Sequence, residues 1–149
     1  MARKAQVPLL FRFPNEVGII EQLARAKLES VLPIGLRMSQ FIVHNHLVRL
    51  GGDWSPARLA NAFQVTKGAI TNTLQRLQSR GLVKIVSHPG DGRGKLVCVT
   101  AAGRDMRKQC VRSINPLLGD LQAKFGEKRV ADALPLLEEV RKYLDEQRS

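Results

Sequence analysis

Acidic residues are scarce in this 149-residue chain, where 13 Asp and Glu face 24 Lys and Arg for a formal net charge of +11. Cysteine is scarcer still. Cys98 and Cys110 are the two present, too few for a disulfide framework and wrongly spaced for a CxxC metal pair, which fits a reducing compartment. Long hydrophobic runs are missing. No stretch approaches the roughly 20 apolar residues that span a bilayer, and the N-terminal run from Val7 to Phe11 is broken by Arg12, too short for a signal-peptide core. A cytoplasmic protein without membrane contact is expected. Catalytic signatures are absent as well: there is no GxxxxGK[ST] phosphate cradle, no GxSxG elbow and no HExxH. The carboxylates Glu138, Glu139, Asp145 and Glu146 read as a solvated helix face. These absences argue against an enzyme and give no reason to expect a metal or a cofactor.

What remains is ordinary globular material, 44% hydrophobic and 25% charged, enough for one domain of residues 1–149 or a small domain with dimerisation arms. The positive charge is concentrated. Residues 55–112 hold eleven basic groups and two acidic ones, Asp91 and Asp105, whereas residues 113–149 carry a net charge of −1. A field so placed attracts a polyanion, because phosphates release counterions when Lys and Arg reach them.

Periodicity predicts mainly helix with one small hairpin. Val17, Ile20, Ala24, Leu28 and Val31 recur at helical spacing from Asn15 to Leu32, with Asn15 as cap and Pro33 as stop. A second helix over Met38 to Leu50 has apolar residues on several faces and stops at Gly51 and Gly52. Two short helices follow. Ser55 caps the first with Pro56 at its opening position, and Thr66 caps the second, which turns Ile70, Leu74 and Leu77 inward and ends at Gly81. The period then alternates over Leu82–Ser87 and Lys95–Thr100, with a Gly-rich tip over residues 88–94. Thr100 opens a long helix that Pro116 should kink, and a last helix starts near Glu127, where Pro135 should bend or divide it.

Helix, turn, helix and hairpin inside the basic segment are the parts of a winged helix-turn-helix over residues 53–100, whose second helix enters the major groove of double-stranded DNA. With the apolar side inward, Lys67, Gly68, Thr71, Asn72, Gln75 and Arg76 are left facing outward. Asn72 and Gln75 suit adenine edges, Thr71 a base or phosphate, and Lys67 and Arg76 phosphate or guanine. Arg93, between Gly92 and Gly94, fits a narrow minor groove. Ser55, Thr66 and Lys95 complete the expected DNA-binding set. Apolar stripes on the first, fifth and sixth helices exceed what one winged helix covers, so a second copy should bury the surplus, with residues 15–50 and 101–147 supplying dimerisation helices and support for the DNA-binding core. A two-fold pair predicts a pseudo-palindromic site with half-sites roughly 10 bp apart.

The run LANAFQVTKGAITNTLQRLQSRGLVK, followed by HPGDGRGKLVCVTAAG, resembles the MarR family of bacterial transcriptional regulators. Asp91, Arg93, Thr100 and Gly103 fall on its most specific signature. The resemblance implies minor-groove insertion for Arg93, an ion pair orienting basic wing side chains for Asp91, a place on the recognition helix for Lys67, Thr71 and Asn72, and terminal helices interlocked in a homodimer. It also implies repression of an operator, relieved by a small-molecule effector of unspecified identity or by another signal. One departure stands out. Where family members often carry two basic residues in the first wing strand, this chain has Ile85 and Val86, leaving Lys84 or Lys95 to replace their phosphate contacts.

Other candidates read as packing. His44 and His46 lie about 200° apart on a helix, too far for one metal. His44 could line an effector cleft beside the second helix, or be an ordinary satisfied histidine. Cys98 and Cys110 read as small core residues, and Trp54 and Tyr143 as packing rather than a ligand cage. The rival function is a nonspecific or architectural basic nucleic-acid binder, which grips phosphate alone and binds any duplex alike.

Overall fold

The computed structural model describes residues 8–148 and, of residues 91–93, the backbone alone. Six helices and one hairpin run in the order α1 (Leu9–Val31), α2 (Met38–Leu50), α3 (Pro56–Phe63), α4 (Lys67–Ser79), β1 (Val83–His88), β2 (Asp91–Val99), α5 (Ala101–Phe125) and α6 (Glu127–Glu146). The predicted class, mainly helical with a hairpin wing, is the observed one. The chain divides into two compact units, one ending at Ser113 and one beginning at Ile114.

In the first unit the core forms where the apolar faces of the short helices meet. Leu59, Ile70, Leu74, Leu77, His44, Val83 and Cys110 are its largest fully buried side chains. α2 supplies it from several sides, burying Met38, Gln40, Phe41, Val43, His44 and Leu47, as its sequence predicted. The caps are also those predicted: Ser55 Oγ accepts the Arg58 N–H at 3.1 Å and Thr66 Oγ1 that of Ala69 at 3.1 Å. Each satisfies one of the donors a helix start leaves free. Gly81 at φ +70° leaves α4 in a conformation that only glycine adopts without strain.

Three sequence expectations need correction. α1 begins at Leu9 rather than Asn15, with Pro14 inside it. The proline removes one backbone bond, while the N–H groups of Phe11 and Arg12 are already held by the Pro8 carbonyl, so the helix is nucleated upstream and Asn15 caps nothing. The wing has no seven-residue tip. Its turn is Pro89–Gly90, and β2 already starts at Asp91, the surplus residues absorbed by a register shift between Ser87 and His88, a bulge of the kind glycine permits. Pro135 does not divide α6, which runs unbroken through it, as α5 does through Pro116.

The wing is attached at its base. Val97 donates its N–H to the Trp54 carbonyl at 2.8 Å, and Trp54 is itself fixed by its indole N–H on the Gly51 carbonyl at 2.7 Å. His46 stands edge-on to the Trp54 and Phe63 rings, 4.4 and 4.9 Å between centroids, and the Arg58 guanidinium covers Trp54 at 4.0 Å. Trp54 is thus a packing residue, as its isolation in the sequence implied. In the second unit, α6 has no buried residue, and Leu134, Leu136, Leu137 and Leu144 are exposed. The same holds for α1 in the first unit, where Leu10, Phe11, Ile20 and Leu23 are all more than 60% exposed.

Candidate nucleic-acid interface

α4 is held by Ile70, Leu74 and Leu77 on its inner side, and the polar side chains left over divide between two hollows. A cleft of about 800 Å³ between α4 and the wing is lined by Ser55, Lys67, Thr71 and Gln75 on one wall and by Ser87, Gly94 and Lys95 on the other. Five of the sequence-predicted residues therefore share one concavity. Asn72 does not. It lines a separate groove of about 360 Å³ with Arg25, Ser39, Ile42, Phe63 and Thr73, because successive helix positions diverge by about 100°. Arg76 is exposed and lines neither hollow.

The caps do not use up the hydroxyls. Ser55 Oγ and Thr66 Oγ1 accept backbone N–H groups, and a hydroxyl that accepts can still donate its own proton, as a phosphate requires. Gly68 is exposed, and a Cβ there would approach nothing closer than Thr66 Oγ1 at 4.0 Å. The protein's own packing therefore does not require a glycine there. Lys95 is exposed opposite Ser87 on the paired strand. Ile85 and Val86 line the cleft where basic residues were looked for, and Val86 is exposed. The side chains of Asp91 and Arg93, predicted for the wing tip, lie outside the described residues.

Sequence reasoning missed Gln78, Pro56 and Ala57 of this cleft. Gln78 was within reach, since it follows Lys67, Thr71, Leu74 and Gln75 at helical spacing. Pro56 and Ala57 were not, because only the packing of α3 brings its first turn beside α4.

The nearby titratable groups serve structure. His44 is fully buried, and neither ring nitrogen has a hydrogen-bond partner. Burial holds its pKa below the usual imidazole value and the Arg107 charge adds to this, while the Gly103 carbonyl opposes both without satisfying either nitrogen. His46 is lowered by burial and by Arg49 and Arg58. Burial raises the Cys110 thiol against the opposing Arg80 charge, and so favours its neutral form. No three metal-ligating side chains come together among the described residues, and no helix among them is long and apolar enough to cross a membrane.

Two helices at a tight turn, the second bordering a basic cleft closed by a two-stranded wing, define a winged helix-turn-helix protein of the nucleic-acid-binding kind. The chain belongs to the MarR family of transcription regulators: the family profile matches residues 34–94, and the multiple antibiotic resistance protein MarR of Escherichia coli is 30% identical over 110 residues, 74% of each chain. Its mutant solved with operator DNA superposes with a TM-score of 0.78 at 27% identity, covering 90% of this chain and 99% of that one. PcaV of Streptomyces coelicolor, solved with its natural ligand, shares the fold with a TM-score of 0.77 at 21% identity over 93% of this chain and 97% of its own. The members of this family are regulators rather than enzymes.

Proposed function

We propose that this protein is a cytoplasmic, homodimeric repressor that reads a pseudo-palindromic operator and leaves it when a small molecule changes the separation of its two recognition helices. The observation that carries the reading is the cleft in which Lys67, Thr71 and Gln75 of α4 face Lys95 of the wing, within the most basic third of the chain. Lys67, Lys95 and the hydroxyls of Ser55 and Thr66 suit phosphates, which set register, and Thr71, Gln75, Asn72 and Arg76 suit base edges, which set sequence. Arg93 and Asp91 are assigned to the wing tip on the family resemblance. The apolar surfaces of α1 and α6 supply the contact between copies, and residues 53–100 the DNA-binding part.

Operator binding by the E. coli relative supports this assignment, and the ligand of PcaV supports a small-molecule signal. The groove beside Asn72 is where such a molecule would press on α4. Any effector acts only by its differential affinity for the two dimer shapes.

Selection of bound duplexes from a random pool at about 0.15 M salt, where loose phosphate binding is screened, tests the reading. An enriched inverted repeat with half-sites roughly 10 bp apart is expected. Binding without enrichment would instead identify the architectural binder.

A further inference from the structure

The C-terminal end of α4 is held from two directions by different means. On one side the contacts are short and close to the backbone. Thr100, which caps α5 by accepting the Gly103 N–H at 3.0 Å, donates its hydroxyl to the Gly81 carbonyl at 2.6 Å and its own N–H to the Leu82 carbonyl at 3.2 Å. On the other side the contact is one long side chain. Arg80, the C-cap of α4, donates Nη1 to the carbonyl of Ile34 at 3.1 Å, across 46 residues of sequence.

Ile34 belongs to the turn over residues 32–37 that joins α1 to α2, and this turn is stiff. Glu29, near the end of α1, accepts the Met38 N–H at 2.8 Å and the Arg37 guanidinium at 3.0 Å, so it caps α2 from the preceding helix. The bonds from backbone and guanidinium also hold its carboxyl below the usual range. The Arg37 N–H in turn donates to Gln40 Oε1 at 3.2 Å. Displacement of α1 therefore reaches Ile34 with little slack, and Arg80 carries it on to α4. Arg80 as a residue is half-buried, although its bond to the exposed Ile34 lies at the surface. The lever is long. α4 has 13 residues, about 20 Å at 1.5 Å per residue, so a shift of about 1 Å at Arg80 tilts it by about 3° and re-aims Lys67 and Thr71 at its other end.

We propose that Arg80 is a positioning residue for DNA recognition: by tying the end of α4 to the α1–α2 turn, it sets the angle at which the recognition helix meets its half-site. The inference rests on the two-fold DNA-binding reading above. It is a role apart from phosphate contact, and the two separate experimentally. A phosphate ligand contributes about one unit to the slope of log affinity against log salt, whereas a strut contributes nothing to that slope.

The test is a spacing series on the full-length protein. Duplexes carry the selected half-sites at their best separation, one base pair closer and one base pair farther, and binding is measured for the parent, Arg80→Lys, Arg80→Met and Gly35→Ala, with thermal unfolding of each. Gly35 has φ +81°, and a Cβ there would come to 3.0 Å from Arg80 Nη1, so Gly35→Ala disturbs the same link from the turn. The parent and Arg80→Lys, which keeps a donor, should share a sharp spacing preference. Arg80→Met and Gly35→Ala should each lose about tenfold of it with the salt slope unchanged. Variants that keep the parent's preference overturn the inference alone, and so does a salt slope that falls by about one in Arg80→Met. A parent indifferent to spacing removes the two-fold reading and this inference with it. Should Arg80→Met fail to fold, Gly35→Ala decides by the same criteria.

Discussion

Residue identity matters most where a side chain has one neighbour it cannot do without. At His44 the surroundings decide the charge: a fully buried imidazole with no charged partner is tolerable only when neutral. Its pKa in the folded protein lies below the unfolded value of about 6.5. The unfolded chain therefore takes up protons first as pH falls, and stability drops from about pH 6.5 downward until the folded pKa is passed. Urea midpoints at pH 7.5 and 5.5 should show this loss, and His44→Leu should reduce it, leaving the share that His46 contributes. A parent with equal midpoints at both pH values would contradict the burial argument. On the DNA side, Asn72→Ala should relax base preference by roughly 1 to 3 kcal/mol at one position per half-site, whereas Arg93→Ala should weaken binding through the minor groove. Affinities across single-base operator variants distinguish the two.

At the scale of elements, the joint between α4, the wing and α5 depends on Gly103. A Cβ there would collide with the Leu82 carbonyl oxygen and come to 2.9 Å from Val99 Cγ1. The obstacle is backbone, so Gly103→Ala has to move the start of α5 or the end of α4. A loss of about 1 to 3 kcal/mol is expected in chemical denaturation, and a neutral result would mean that the joint is looser than drawn. The spacing of Thr100 and Gly103 thus has a packing cause: the hydroxyl fastens the α5 cap to Gly81, and the missing side chain lets the helix lie against Leu82. Caps and turns of this kind were readable in advance, since Ser55, Thr66 and Thr100 each bond three residues ahead. α1 starts at Leu9 rather than Asn15 because Asn15 has the chemistry of a cap but lies inside a helix already nucleated at Pro8. The wing tip was misread because glycines that permit a loop equally permit a bulged strand.

For the whole molecule, the exposed apolar surface of α1 makes a separate prediction. Ile20 and Leu23 are 62% and 67% exposed, so Ile20→Glu with Leu23→Glu costs a single chain little internal packing while placing charge in the proposed contact between copies. Sedimentation should show the parent at twice 16.6 kDa and the double variant at the single mass, with operator affinity lost alongside. A parent that sediments as one chain would refute the homodimer.

Sequence by itself determined the order of elements, the inward faces of α2 and α4, the helix caps and the basic middle third, because these follow from contacts within a few residues and from composition. The tertiary structure decided which outward residues share a surface: Lys67, Thr71 and Gln75 with Lys95, and Asn72 apart from them. It also decided that Trp54 carries the wing, that His44 is sealed from water and that Arg80 reaches Ile34. Those partners are separated by tens of residues, and nothing local selects them. They are chosen when the apolar faces close on one another, and the polar side chains then meet whatever that closure brings within reach.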